Sequence, residues 1–147
     1  MKKSTKIIFI LAVVVVAIPV GMYIAGNYYF TNARIYEEYW NINLPRNVQE
    51  EYSKKTDTSF HGDGISYTVF QYDDSASAFT SGLIKEKNTD MENDVSTILL
   101  ALSVEKKNSP DFSHSYLWSQ QGKEDGSKLY IIYDLDAEKL YVVQQTV

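Results

Sequence analysis

The sequence predicts an α+β protein: an N-terminal transmembrane helix, then a small domain with an antiparallel sheet of about four strands packed on two helices. Three observations carry this. Three lysines precede a run without charge from Ile7 to Ala33. Two later segments place apolar residues at helical spacing, and the C-terminal third alternates short β-type runs with polar turns.

The chain divides into a basic, cytoplasmic segment 1–6, a signal-anchor helix 7–26, an aromatic stalk 27–45 and an extracytoplasmic domain 46–147. Ile7 to Ala25 is the most apolar part, and at ~1.5 Å per residue it reaches about 28 Å, the depth of a hydrocarbon core. Lys2, Lys3 and Lys6 orient it with the N-terminus in the cytoplasm, which makes the lipid bilayer the partner of residues 7–26 and the cell membrane the location. A cleavable signal peptide is the competing reading. It fits less well, because the apolar run is longer than a signal peptide needs and cleavage after Ala25 or Gly26 puts Tyr23 or Ile24 at the third position before the cut, where a small residue is needed. Ala17, Gly21 and Ala25 recur every four residues and form a small-residue face on which two helices could meet. Tyr28, Tyr29, Phe30, Tyr36, Tyr39 and Trp40 crowd the outer end as an interfacial belt. Tyr29, Tyr36 and Trp40 share one helical face, so the helix is expected to continue to about Tyr39. Asn41 to Pro45 ends it, since Pro45 disfavours helix at Leu44.

In the outer domain, Val48 to Lys55 is either a short strand or a turn of helix. Ile65 to Tyr72 alternates as a strand. Ala76, Phe79 and Leu83 predict a short helix to about Lys85. Val95, Ile98, Leu99 and Leu102 predict a longer one from the Asp90–Asp94 cap to Lys107. Strands follow at Ser115–Gln120, Leu129–Tyr133 and Leu140–Gln145. The echo of Lys128-Leu129-Tyr130-Ile131-Ile132 in Lys139-Leu140-Tyr141-Val142-Val143 predicts a hairpin about Asp136-Ala137. It sets Ile132 opposite Tyr141 and Ile131 opposite Val142, so that both sheet faces are covered near the middle.

Composition narrows function. Beyond residue 6 lie all 19 acidic residues and 11 of the 14 basic ones, a net of −8, which disfavours nucleic acid. With no cysteine there is no disulfide framework, thiolate metal site, thiol nucleophile or lipid-modified cysteine. Neither a Gly-x-Ser-x-Gly elbow nor a phosphate loop occurs, and no cofactor or metal signature is present. The acidic clusters Asp73-Asp74, Asp90–Asp94 and Asp134–Glu138 read as caps and solvated turns. Tyrosines 67, 72, 130, 133 and 141 fall on strands and read as packing residues.

The most distinctive local element is the Phe60-His61-Gly62-Asp63-Gly64 loop, with His61, Gly62, Asp63 and Gly64 as the candidate site. His61 and Asp63 supply an imidazole and a carboxylate, the chemistry of a general base or of two metal ligands, and Asp111 with His114 could join them. A β-turn uses the same residue types. The order of basic start, one membrane helix, Leu44-Pro45, the Phe60–Gly64 loop and a terminal Lys-Leu-Tyr hairpin resembles small membrane-anchored proteins of Gram-positive bacteria. That resemblance implies an immunity or accessory role beside secreted toxins. The expected function is therefore a membrane-tethered, non-enzymatic binding domain with a protein or envelope ligand at the cell surface. A small hydrolase or metal-dependent enzyme centred on His61 and Asp63 and a small subunit of a membrane complex are the alternatives.

Overall fold

In the computed structural model the described residues are 13–23, 31–45, 48–56, 63–72 and 77–147, and the chain forms two compact units, Met1–Ile42 and Asn43–Val147. The architecture is α+β, with a five-stranded antiparallel sheet.

In the first unit, residues 13–23 are helical (α1), and a second helix, α2, spans Asn32–Trp40. Among the described residues no helix is long and apolar enough to cross a membrane. Of the predicted anchor, 7–12 and 24–26 lie outside the described residues, as do Tyr28, Tyr29 and Phe30 of the aromatic belt. The expected uninterrupted helix to Tyr39 is corrected at Thr31. Its backbone is extended (φ −71°, ψ 147°) and its hydroxyl accepts the Arg34 N–H at 3.4 Å, so α2 starts with its own N-cap. Asn41 closes α2 in the left-handed conformation (φ 51°), which Asn tolerates better than most residues.

The second unit holds the sheet, in the order β1-β2-β5-β4-β3. Its strands are β1 Val48–Lys55, β2 Gly64–Tyr72, β3 Tyr116–Gly122, β4 Lys128–Asp134 and β5 Lys139–Thr146. The ambiguous segment at Val48 is thus a strand, which raises the predicted four to five. β1 lies at the sheet edge, mostly exposed, and an irregularity between Glu50 and Tyr52 breaks its register with β2. Charge and a bulge are what protect an open edge from pairing with other chains. The C-terminal hairpin has the predicted register, Ile131 opposite Val142 and Ile132 opposite Tyr141. Between β3 and β4 the chain reverses at Gly126. Its φ of 91° suits glycine alone, and the Asp125 carboxylate accepts the Ser127 N–H at 2.8 Å.

One sheet face carries Tyr67, Val69, Tyr116, Trp118, Tyr130, Ile132, Tyr141 and Val143, which share a core with Met91, Val95, Ile98, Leu99 and Leu102. Most of the latter lie on α4, Thr89–Ala101, capped by Asn88, whose side-chain oxygen accepts the Met91 N–H at 3.0 Å. Residues 91, 95, 98 and 99 form one stripe, so a single helix covers this face. The predicted end at Lys107 is corrected to Ala101. Ser103 turns left-handed (φ 54°), and the amides of Ser103 and Val104 bond to the carbonyls of Leu100 and Leu99. This is a Schellman closure with serine in the usual glycine position. A 3₁₀ turn follows at Lys106–Asn108. The opposite face presents Phe70, Leu117, Leu129, Ile131, Leu140 and Val142, all buried.

The predicted helix to Lys85 shrinks to one turn, α3, Ser77–Thr80. Beyond it Ile84 and Trp118 exchange both backbone hydrogen bonds, at 2.7 and 3.0 Å, and the Trp118 indole donates to the Glu86 carbonyl at 2.8 Å. The Leu83 amide turns back to the Thr80 carbonyl, and Ile84 pairs with the open edge of β3 instead of continuing a helix, which satisfies the Trp118 edge amide that helix formation would leave bare.

Candidate functional site

Antiparallel register brings the site together. Tyr116 at the start of β3 pairs with Asp134 at the end of β4, so the residues just before Tyr116 run alongside the β4–β5 turn. Leu135 donates its N–H to the Ser115 carbonyl, and the Ser115 N–H donates to the Asp136 carboxylate, each at 2.9 Å. His114 then meets Asp134, with Nδ1 to Oδ2 at 2.8 Å. The other oxygen of Asp134 accepts the backbone N–H groups of Asp136 and Ala137, both at 2.9 Å. Asp134 is 2% exposed, and these three partners satisfy its carboxylate.

The second ring nitrogen of His114 lies 3.7 Å from the Asp111 carboxylate. That carboxylate already accepts the Ser113 amide at 3.0 Å and the Ser113 hydroxyl at 2.6 Å. His114 therefore sits between two carboxylates. The hydrogen bond to Asp134 raises its pKa above the ordinary histidine value, with the charges of Asp134, Asp111 and Asp136 acting in the same direction. The Ser113 hydrogen bonds hold the Asp111 carboxyl below its ordinary value.

Chemically, Nδ1–H donated to a buried carboxylate is the arrangement that orients a general base. Within the cluster the Ser113 hydroxyl is committed to Asp111. His114, Asp134 and Asp136 also offer three ligand atoms within 4.8 Å of one another, enough to begin a cation site. Their lone pairs already serve the turn: Asp134 through two amides and His114, Asp136 through Ser115.

Of the residues singled out in the sequence, Asp111 and His114 do come together, at 3.7 Å. Asp63 does not join them. It precedes Gly64, which pairs with Thr146 at the far end of β5, whereas Asp134 pairs with Lys139 at the near end. Seven residues of strand separate those pairs, roughly 23 Å at ~3.3 Å each. The four-residue cleft is thereby overturned at Asp63, while His61 and Gly62 lie outside the described residues. The sequence alone places Asp134 and Asp136 in a solvated turn. Extending the Tyr116–Asp134 register two residues past the strand end was the signal that would have found them.

Histidine linkage gives a testable consequence. A group whose folded pKa is raised stabilises fully below its unfolded value, ~6.5 for histidine, and loses that contribution as pH rises through the folded value. The domain should therefore melt at a higher temperature at pH 6 than at pH 8. In His114→Gln that difference should shrink, as read by thermal unfolding at both pH values. Equal pH dependence in the two proteins would remove His114 from the account.

No family model matches the chain, and no curated protein or solved structure matches it. The fold and the site thus define a class only: a five-stranded antiparallel α+β domain in which a half-exposed histidine is clasped to a buried aspartate at one end of the sheet.

Proposed function

We propose that this protein is a membrane-tethered binding domain on the extracytoplasmic side, acting on a protein or envelope ligand in the manner of an immunity or accessory factor. The observation that carries the tether is α1. Val13, Val14, Val15, Val16, Ile18, Val20, Met22 and Tyr23 are all exposed, so apolar side chains surround the helix on every side. A helix apolar all round is stable only where water is excluded. Lys2, Lys3 and Lys6 supply the orientation. The binding role is supported by how the polar residues are used. The carboxylates of the clasp hold a turn, and those of α4 accept tyrosine hydroxyls from the sheet, Glu92 from Tyr116 and Asp94 from Tyr130.

Cell fractionation tests the reading. The full chain should stay in the membrane pellet through alkaline carbonate extraction, and protease added outside intact cells should digest the domain. Release by carbonate, or complete protection from the external protease, would defeat the tethered topology.

A further inference from the structure

Between the Thr80–Lys87 segment and β3 runs an open groove of about 460 Å³, within the size range of small-molecule sites. Its polarity is opposite to that of the domain. Lys85 and Lys87 line it with the hydroxyl-bearing residues Thr80, Ser81 and Ser115, and Tyr116 and Leu135 give it apolar wall. Among the described lining residues there is no carboxylate, although the chain beyond residue 6 carries a net −8; the carboxylates next to it, Asp136 and Glu92, are bonded to the Ser115 amide and the Tyr116 hydroxyl.

The two lysines are placed by backbone that cannot shift freely. Ile84 is paired with Trp118, and the Glu86 carbonyl accepts the Trp118 indole N–H. The chain bends at Glu86, between them, and both Lys85 and Lys87 line the groove. Lys87 is further held by donation to the Phe112 carbonyl at 2.8 Å and lies 5.5 Å from the Tyr116 ring centre. An ammonium has three donors, which leaves two of those on Lys87 for a ligand. The Lys85 ammonium makes no ion pair or hydrogen bond among the described residues.

We propose that this groove binds a small organic anion, a phosphate monoester or carboxylate carried on an apolar body. The ammonium groups and hydroxyls take the head group, while Tyr116 and Leu135 cover the apolar part. A cationic groove in an acidic domain concentrates anions where the surrounding surface repels them. The inference names a ligand class for the binding domain proposed above and rests on that reading.

The probes are phenyl phosphate, benzoate and the neutral benzyl alcohol, titrated by NMR against the full chain in zwitterionic lipid nanodiscs. Saturable shifts at Ser115, Tyr116 and Lys85 are expected with at least one anion and not with the alcohol. The anion that binds more tightly identifies the head group. Loss of one charge-assisted contact in Lys85→Gln should weaken that binding about tenfold. Lys123→Gln, in the β3–β4 turn, should leave it unchanged. Three results would overturn the proposal: no saturable binding of either anion, equal binding of benzyl alcohol, or equal weakening by both substitutions. Fractionation is independent of the groove, so failure here leaves the tether standing.

Discussion

Replacing Asp134 with alanine should destabilise the sheet domain by about 3 kcal/mol, because three donors lose their buried acceptor. The donors are the Asp136 and Ala137 amides and His114 Nδ1, and the residue that serves them is 2% exposed. A neutral, exposed turn residue would cost a few tenths. The difference arises because three donors lose a charged acceptor that is itself almost fully buried, and hydrogen bonds to a charged group are the stronger kind. At roughly 4–8 °C per kcal/mol for a domain of this size, the melting temperature should fall by about 12–24 °C. Asp134→Asn discriminates between the two roles of the side chain. Its carbonyl oxygen still accepts the turn amides, but its amide nitrogen faces His114, so it should lose about half as much. It should also return the His114 titration towards the ordinary value, which NMR of the imidazole reads directly. A melting temperature within a few degrees of the parent for Asp134→Ala would show that the clasp does not hold the turn.

The sequence made local features readable where local physics decides them. The β4–β5 hairpin was readable with its register because the Lys-Leu-Tyr echo places apolar pairs on both faces. A slip by one residue would exchange every side chain between faces. The core stripe of α4 was readable as well, since 3.6-residue periodicity needs no tertiary information. Three elements were not. β1 has polar residues on an edge, so burial leaves no alternation to see. Ser103 ends α4 in a conformation that only its surroundings impose. The Ala76–Phe79–Leu83 spacing looked helical, yet pairing of Ile84 with Trp118 drew the chain onto the sheet edge instead. The clasp follows the same division. His114 and Asp111 are three residues apart and were seen together. Asp134 is twenty residues away, and only the β3–β4 pairing brings it to His114.

Tyr67 is where loss of a side chain should cost most in the core. It lies at the middle of β2, between Lys54 of β1 and Val143 of β5, with no exposed surface. Its ring meets Tyr52 edge-on at 6.0 Å, and its hydroxyl donates to the Asn108 carbonyl in the 3₁₀ turn after α4. One side chain thus joins the sheet to the segment leading into β3. Truncation to alanine removes a whole ring from a packed interior and should cost about 4 kcal/mol, in the range of large aromatic deletions. Tyr67→Phe keeps the ring and strips only the hydroxyl. It should cost about 1 kcal/mol, the value of one neutral hydrogen bond whose acceptor is left unpaired. The gap between the two variants in urea unfolding therefore measures packing separately from the bond. Burial also pushes the Tyr67 phenol well above its usual pKa, and it raises those of Tyr130 and Tyr141 to about 12. Raised acids stabilise below their unfolded value, ~10 for tyrosine, and lose that contribution as pH climbs towards the folded one. The parent domain should accordingly weaken above pH 10, and Tyr67→Phe should weaken less steeply there despite starting lower. A Tyr67→Phe variant as unstable as Tyr67→Ala would mean that the hydroxyl, and not the ring, secures the turn to the sheet.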